Sequence, residues 1–165
     1  MKQAKHAPET QPFSKAIRTP IGILILSERG GAICAIDLAH ESDERPADSA
    51  VTPVLEQAAQ EIAEYFAGKR TEFTFPMRAQ GTSFQTAVWD ALLHIPFGET
   101  KTYGQIAAEV DNPKGSRAVG MACNKNPIMI AVPCHRVVGA GGALTGYAGG
   151  LSVKEKLLKL EQEQK

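Results

Sequence analysis

Two apolar runs, at residues 19–26 and 31–38, flank the polar tetrad Ser27-Glu28-Arg29-Gly30, a pattern that predicts strand, turn and strand. Ahead of them the first dozen residues, with Pro8 and Pro12, read as a loose leader. Residues 40–50 are polar and acidic and read as a loop. Thr52 then offers an N-cap with Pro53 at the first helical position. Leu55, Ala58, Ala59, Ile62, Tyr65 and Phe66 recur at helical spacing until Gly68 closes the helix. Residues 71–75 (Thr-Glu-Phe-Thr-Phe) alternate as a further strand would.

After residues 76–81 the pattern turns helical. Thr82 and Gln85 make a capping box, and Phe84, Val88, Ala91, Leu92 and Ile95 form one face, ended by Pro96 and Gly98. Two short helices are predicted at 102–110 and 116–124, the second capped by Ser116, around a turn carrying Pro113 and Gly115. That is a helix-turn-helix pattern. Ala118, Gly120 and Ala122 would let the second helix approach a partner closely. The run 128–132 reads as a buried strand that Pro133 stops. The glycine-rich stretch 137–150 reads as a loop without regular structure, able to come close to a ligand. Ser152 and Glu155 suggest a capping box for a last helix bearing Leu157, Leu158 and Leu160. The fold class expected is therefore mixed α/β (α+β). A small α+β domain with a β-sheet (1–80, structural) precedes a mostly helical domain (82–165) that contains the helix-turn-helix.

Composition narrows the function classes. The chain of 165 residues is 43% hydrophobic and 22% charged, as ordinary globular proteins are. No apolar run is long enough for a bilayer and the first residues lack a secretion signal. The cysteines, Cys34, Cys123 and Cys134, are odd in number and fit a reducing compartment, so a cytoplasmic location without a membrane partner is expected. Cys34 reads as core filling. Net charge is zero, but residues 112–153 hold no Asp or Glu while Lys114, Arg117, Lys125 and Arg136 fall there. A basic surface of that size suits moderate, salt-sensitive DNA binding or, equally, a solvated face.

The chemistry centres on Cys134 and His135. A thiol delivered to the edge of a core beside an imidazole is a candidate nucleophile, because a nearby base makes the thiolate accessible. A buried structural cysteine has the same local sequence. Adjacent residues of an extended chain point opposite ways, so His135 is not expected to touch the sulfur directly. Tyr147, among glycines, could wall a planar ligand. The loop lacks the Lys-Ser/Thr of a phosphate cradle. Glu161, on its own, reads as a surface carboxylate.

Taken together, several ordered motifs resemble the O6-alkylguanine-DNA alkyltransferase family, the methylated-DNA–protein-cysteine methyltransferases. They are Pro-Cys-His-Arg-Val at 133–137, Arg-Ala-Val-Gly at 117–120 and Asn-Pro at 126–127. Gly-Tyr-Ala-Gly-Gly at 146–150 and Lys-Glu-Lys-Leu-Leu at 154–158 with Glu161 complete the set. Thr-Pro-Ile-Gly at 19–22 and Tyr-Phe-Ala-Gly at 65–68 are similar to the family's N-terminal, ribonuclease H-like domain. The resemblance implies stoichiometric, irreversible transfer of an alkyl group from O6 of guanine, and open the question of O4 of thymine, to Cys134. The expected partner is double-stranded DNA containing O6-alkylguanine, the protein acting as a monomer with cooperativity on DNA left open. No cofactor and no metal are implied.

By the same resemblance His135 relays to Cys134 through a water and is held by Glu161, while Asn126 joins the recognition helix to the segment carrying the thiol. Arg117 fills the space of the flipped nucleotide. Tyr103 crowds its phosphate and bonds the base, and Ser116 and Lys125 stand with them on the DNA side. Carbonyls of Cys134 and Val137, the Ala148 N–H and Tyr147 would line the guanine pocket. Position 123 departs from the family's frequent apolar residue; Cys123 is expected at the pocket wall and unreactive. Rival readings are a lesion-recognition protein without chemistry, a transcription regulator and a Cys-His hydrolase.

Overall fold

The structure is a computed structural model describing residues 12–40 and 51–165. The predicted leader up to residue 11 and the loop at 41–50 lie outside the described residues. Strands β1 (Phe13–Thr19), β2 (Gly22–Arg29) and β3 (Ala32–Leu38) form an antiparallel sheet in that order. β2 and β3 are the two apolar runs. β1 carries little alternation of its own; pairing from Phe13 with Glu28 to Thr19 with Gly22 makes it a strand. Leu24 and Leu26 of β2 point to one face and are 0% exposed. Helix α1 (Pro53–Phe66) covers that face with Leu55, Ala58, Ile62 and Tyr65. Its start is local chemistry: Thr52 Oγ1 accepts from the Leu55 N–H at 3.1 Å, and Pro53 opens the first turn. Cys34, expected in the core, is instead half-buried, its thiol 3.5 Å from the Ser27 carbonyl.

Residues 71–75 are not a strand. Thr74 donates its N–H to Glu61 Oε1 (2.6 Å) and its hydroxyl to Oε2 (2.9 Å), so a buried carboxylate of α1 takes the bonds a ladder would need. Pro76 then has no N–H to give. Met77 reaches the sheet as an isolated bridge to Ile33.

The second half is helical: α2 (Ser83–Leu92), α3 (Tyr103–Glu109) and α4 (Ser116–Asn124). The Thr82–Gln85 capping box forms, and Thr102 and Gln105 make another for α3. Trp89 Nε1 donates to the Ala122 carbonyl at 2.9 Å and fixes α2 against α4. Ser116 does not cap α4. Gly115 is the N-cap, its carbonyl accepting from Val119 N–H at 2.9 Å, which leaves Ser116 inside the helix with no capping bond.

The last helix, α5 (Leu151–Gln164), likewise lacks the expected capping box. Gly150, at φ +95°, turns the chain and its carbonyl accepts from Val153 and Lys154, so Ser152 and Glu155 already lie within the helix. Its buried stripe is Val153, Lys154, Leu157 and Glu161.

Residues 128–132 are buried, as expected, but are not a strand. Ile128 makes one bridge to Ile36 of β3, and the chain then coils, with Ala131 N–H on Met129 O (2.9 Å) and Val132 N–H on Ile128 O (3.0 Å). The glycine-rich segment also begins with regular structure: β5 (Val137–Val138) pairs in parallel with β4 (Lys101–Thr102). The architecture is thus mixed α+β, an antiparallel sheet and helix followed by a helical unit, and one apolar core runs through both.

Candidate active site

Cys134 sits at the end of the coil that replaces the predicted strand, and Asn126 shapes that coil. Its Oδ1 accepts from the Ile128 N–H at 3.0 Å; its Nδ2 donates to the Val132 carbonyl at 2.8 Å and to Cys134 Sγ at 3.3 Å. One amide therefore closes the loop and touches the thiol. Within the loop Ile130 has φ +72°, a conformation that costs a β-branched residue about 1–3 kcal/mol. Surrounding bonds hold that strain beside Cys134.

Residues Cys134–Arg136 form a 3-10 turn, not an extended segment, so side-chain alternation does not govern where His135 points. Cys134 is 6% exposed and lines a cleft of about 160 Å³ together with Cys123, Asn126, Met129, Tyr147 and Ala148. Burial pushes the Cys134 thiol up, opposed by the Asn126 amide and the Lys154 ammonium. The Tyr147 hydroxyl lies close enough to favour the thiolate but outside hydrogen-bonding geometry, and is buried without a partner. Cys123 is pushed up to about 12, first by burial and then by its neighbour Cys134, which leaves it a poor nucleophile. Val137, a predicted pocket residue, is fully buried in β5 and is not part of this cleft's lining.

Glu161 is buried at 1% exposure and its carboxylate is saturated. Oε2 accepts from His135 Nε2 (2.5 Å) and the Tyr65 hydroxyl (2.6 Å); Oε1 accepts from Arg136 Nε (2.7 Å) and the Gly98 N–H (3.2 Å). Burial alone would raise its pKa, but the His135 and Arg136 contacts hold it down to about 2. With Nε2–H committed to Glu161, the network assigns the free lone pair of His135 to Nδ1. That atom is buried and has no hydrogen-bond partner. Burial lowers the imidazole's pKa, so the resting ring is neutral and able to accept a proton.

Arg136, one of the four cations the sequence places on a basic surface, is not a surface cation. It is 6% exposed, bonded to Glu161 and, through Nη1, to the Ile95 carbonyl at 2.7 Å. Ser116, Arg117 and Lys125 are exposed. Tyr103, at the start of α3, shares a second groove of about 310 Å³ with Ser116, Arg117 and Gly120. The helix-turn-helix face thus opens beside the thiol cleft, from which Tyr147 and Ala148 lead into the glycine-rich segment.

The contacts of two side chains around the site are not legible in the sequence. Tyr65 reads as core at helical spacing, and nothing local marks its hydroxyl for a carboxylate 96 positions away. Lys154 carries a signal: it lies three residues before Leu157 and seven before Glu161, on one helical face. It is 0% exposed, and its Nζ donates to the carbonyls of Val137 (2.6 Å) and Thr145 (3.0 Å), tying the start of the glycine-rich segment to its middle. Its ammonium also faces the Tyr103 ring at 5.7 Å. Lys154→Met is expected to free that segment and cost about 1–3 kcal/mol in unpaired carbonyls. Urea unfolding would give the energy, and limited proteolysis would show new cleavage between residues 139 and 146. Among the described residues no three His, Cys, Asp or Glu side chains group as a metal site would require, and no helix is long and apolar enough to cross a membrane.

Comparison with known proteins places this geometry. Residues 13–79 match a family profile described as 6-O-methylguanine DNA methyltransferase, ribonuclease-like domain, and residues 83–163 match the DNA binding domain of the same description. A methylated-DNA–protein-cysteine methyltransferase of Mycobacterium leprae is 44% identical over 153 residues, 91% of this chain and 92% of that protein. The crystal structure of the Mycobacterium tuberculosis O6-methylguanine methyltransferase superposes with a TM-score of 0.84 at 41% identity, covering 94% of this chain and 95% of that one. A second structure of that protein, in complex with DNA, gives 0.83 at 42% identity over 92% and 93% of the chains. With that identity sustained over nearly its whole length, this chain belongs to the O6-methylguanine-DNA methyltransferase family.

Proposed function

We propose that the protein repairs DNA by moving the alkyl group of O6-alkylguanine to Cys134, once per molecule. The observation that carries the reading is a buried thiol lining a cleft, next in the chain to an imidazole whose Nδ1 is buried and unpartnered while Nε2 is anchored on Glu161. A bridging water, for which the unpartnered Nδ1 is the free acceptor, passes the thiol proton to His135. The thiolate attacks the alkyl carbon, the C–O6 bond breaks, and its electrons stay with the guanine, which takes up a proton. A thioether and an unmodified guanine result. No group in the cleft can break the thioether, so the protein is consumed.

The reacting atom lies inside the duplex, so the nucleotide must leave the stack. Arg117, exposed at the start of α4, takes its place from the minor groove, and Tyr103 bonds the extruded base. Ser116 and Lys125 contact the backbone, while Ala148 and Tyr147 wall the guanine. Residues 1–80 serve as a structural domain, its Tyr65 bracing Glu161, and 82–165 bind and react. The three free thiols suit the reducing cytoplasm.

Since flipping costs a few kcal/mol, Arg117→Ala is expected to slow transfer from duplex DNA by about 10–100-fold, and transfer from the same single strand far less. Single-turnover rates on both substrates check this. The reading itself is tested by intact-protein mass after titration with O6-methylguanine duplex. One added methyl per molecule, with no further turnover, supports it. Turnover, or binding without a mass change, refutes it.

A further inference from the structure

Helix α4 buries Val119, Ala122 and Cys123 and turns Arg117, Met121 and Asn124 outward. Met121 is 69% exposed, more than any other large hydrophobic side chain among the described residues. A single exposed apolar residue is ordinary; the position of this one is not. It follows Arg117 by four residues, one helical turn on and about 6 Å away between Cβ atoms. Gly120, on the other flank of Arg117, faces the Tyr103 ring at 3.8 Å from where a Cβ would stand. At 100° per residue, Tyr103's groove and Met121 therefore lie on opposite sides of Arg117. The surroundings are cationic: Lys114, Arg117 and Lys125 are exposed, and no Asp or Glu occurs between residues 112 and 154. An exposed apolar side chain on a helix whose exposed charges are all cations complements the floor and sugar walls of a nucleic-acid groove between its phosphates.

We propose that Met121 is a second minor-groove contact, packing its thioether chain on deoxyribose edges on the side of Arg117 away from the extruded guanine. This rests on the repair reading given above. In that arrangement Arg117 holds the gap, the base passes Tyr103's groove on its way to the thiol cleft, and Met121 covers the duplex that stays stacked. The contribution is apolar. It adds affinity without releasing counterions, whereas Lys125 acts through phosphate.

The test measures Kd for an O6-methylguanine duplex at several salt concentrations with the parent, Met121→Ala, Met121→Gln and Met121→Leu. Thermal midpoints for all four confirm that the exposed position leaves the fold intact. Ala and Gln are expected to weaken binding about fivefold, the apolar area lost being small. The slope of log Kd against log salt stays that of the parent, since no phosphate contact changes. Leu restores parental affinity, which a polar contact would not produce, and unchanged thermal midpoints exclude a structural role. Parental affinity in the Ala and Gln variants, a loss in Leu as large as in Ala, or a shallower salt slope overturns the assignment. Failure of the parent itself to take a methyl group from the duplex would overturn the repair reading as well; transfer by the parent with an unaffected Ala variant overturns the Met121 contact alone.

Discussion

Cys134→Ser abolishes alkyl transfer, by more than about 10⁴-fold on the scale seen when a nucleophile is removed, while affinity for methylated duplex remains at the parental level. A hydroxyl in that position holds its proton far more tightly than a thiol and is a poor attacking group at saturated carbon. The surrounding geometry survives, because Asn126 Nδ2 keeps the Val132 carbonyl and meets an oxygen in place of Sγ. Fluorescence anisotropy for binding and intact mass for transfer separate the two properties in one preparation. A variant that lost both together would mean that the thiol is structural.

Glu161→Leu has the second large effect, on stability. It leaves His135, Arg136, the Tyr65 hydroxyl and the Gly98 N–H without their common acceptor. Removing one partner of a buried ionic network costs about 3–5 kcal/mol, since the remaining charge stays buried. Urea unfolding at neutral pH measures it, and Glu161→Gln, which keeps an acceptor oxygen, is expected to recover part of the loss. The pH dependence follows from the same contacts. The carboxyl titrates at about 2 in the fold against 4.5 unperturbed, so its stabilisation is complete above 4.5 and disappears as pH falls toward 2. The stability gap between parent and Glu161→Gln should close across that interval. His135, lowered from 6.5 by burial, adds an earlier limb: below 6.5 the unfolded chain binds its proton more readily and the fold loses stability.

How far the molecule could be read from its sequence depended on how local each determinant was. Thr52, Thr82 and Thr102 bond backbone within their own first turn, so helix starts at α1 and α2 were plain in the pattern. At α4 and α5 the cap is glycine backbone, and Ser116 and Ser152, one and two residues further on, imitate a cap in the sequence. The run 128–132 shows a different limit. Apolar content reports burial, and the choice between strand and coil lay with the Asn126 side chain, whose bonds no periodicity reveals. The motifs brought Cys134, His135 and Glu161 together by resemblance. Tyr65, the buried Arg136 and the Lys154 clamp arise from packing between elements far apart in the chain.

The claim on which the rest depends is that Cys134 is the single alkyl acceptor. Reaction of the protein with excess O6-methylguanine duplex, followed by proteolysis and peptide mass mapping, tests it directly. The account predicts one methyl group, confined to the peptide bearing Cys134, with Cys123 and Cys34 unmodified. A methyl group on Cys123, or full transfer activity with Cys134 unmodified, would contradict it.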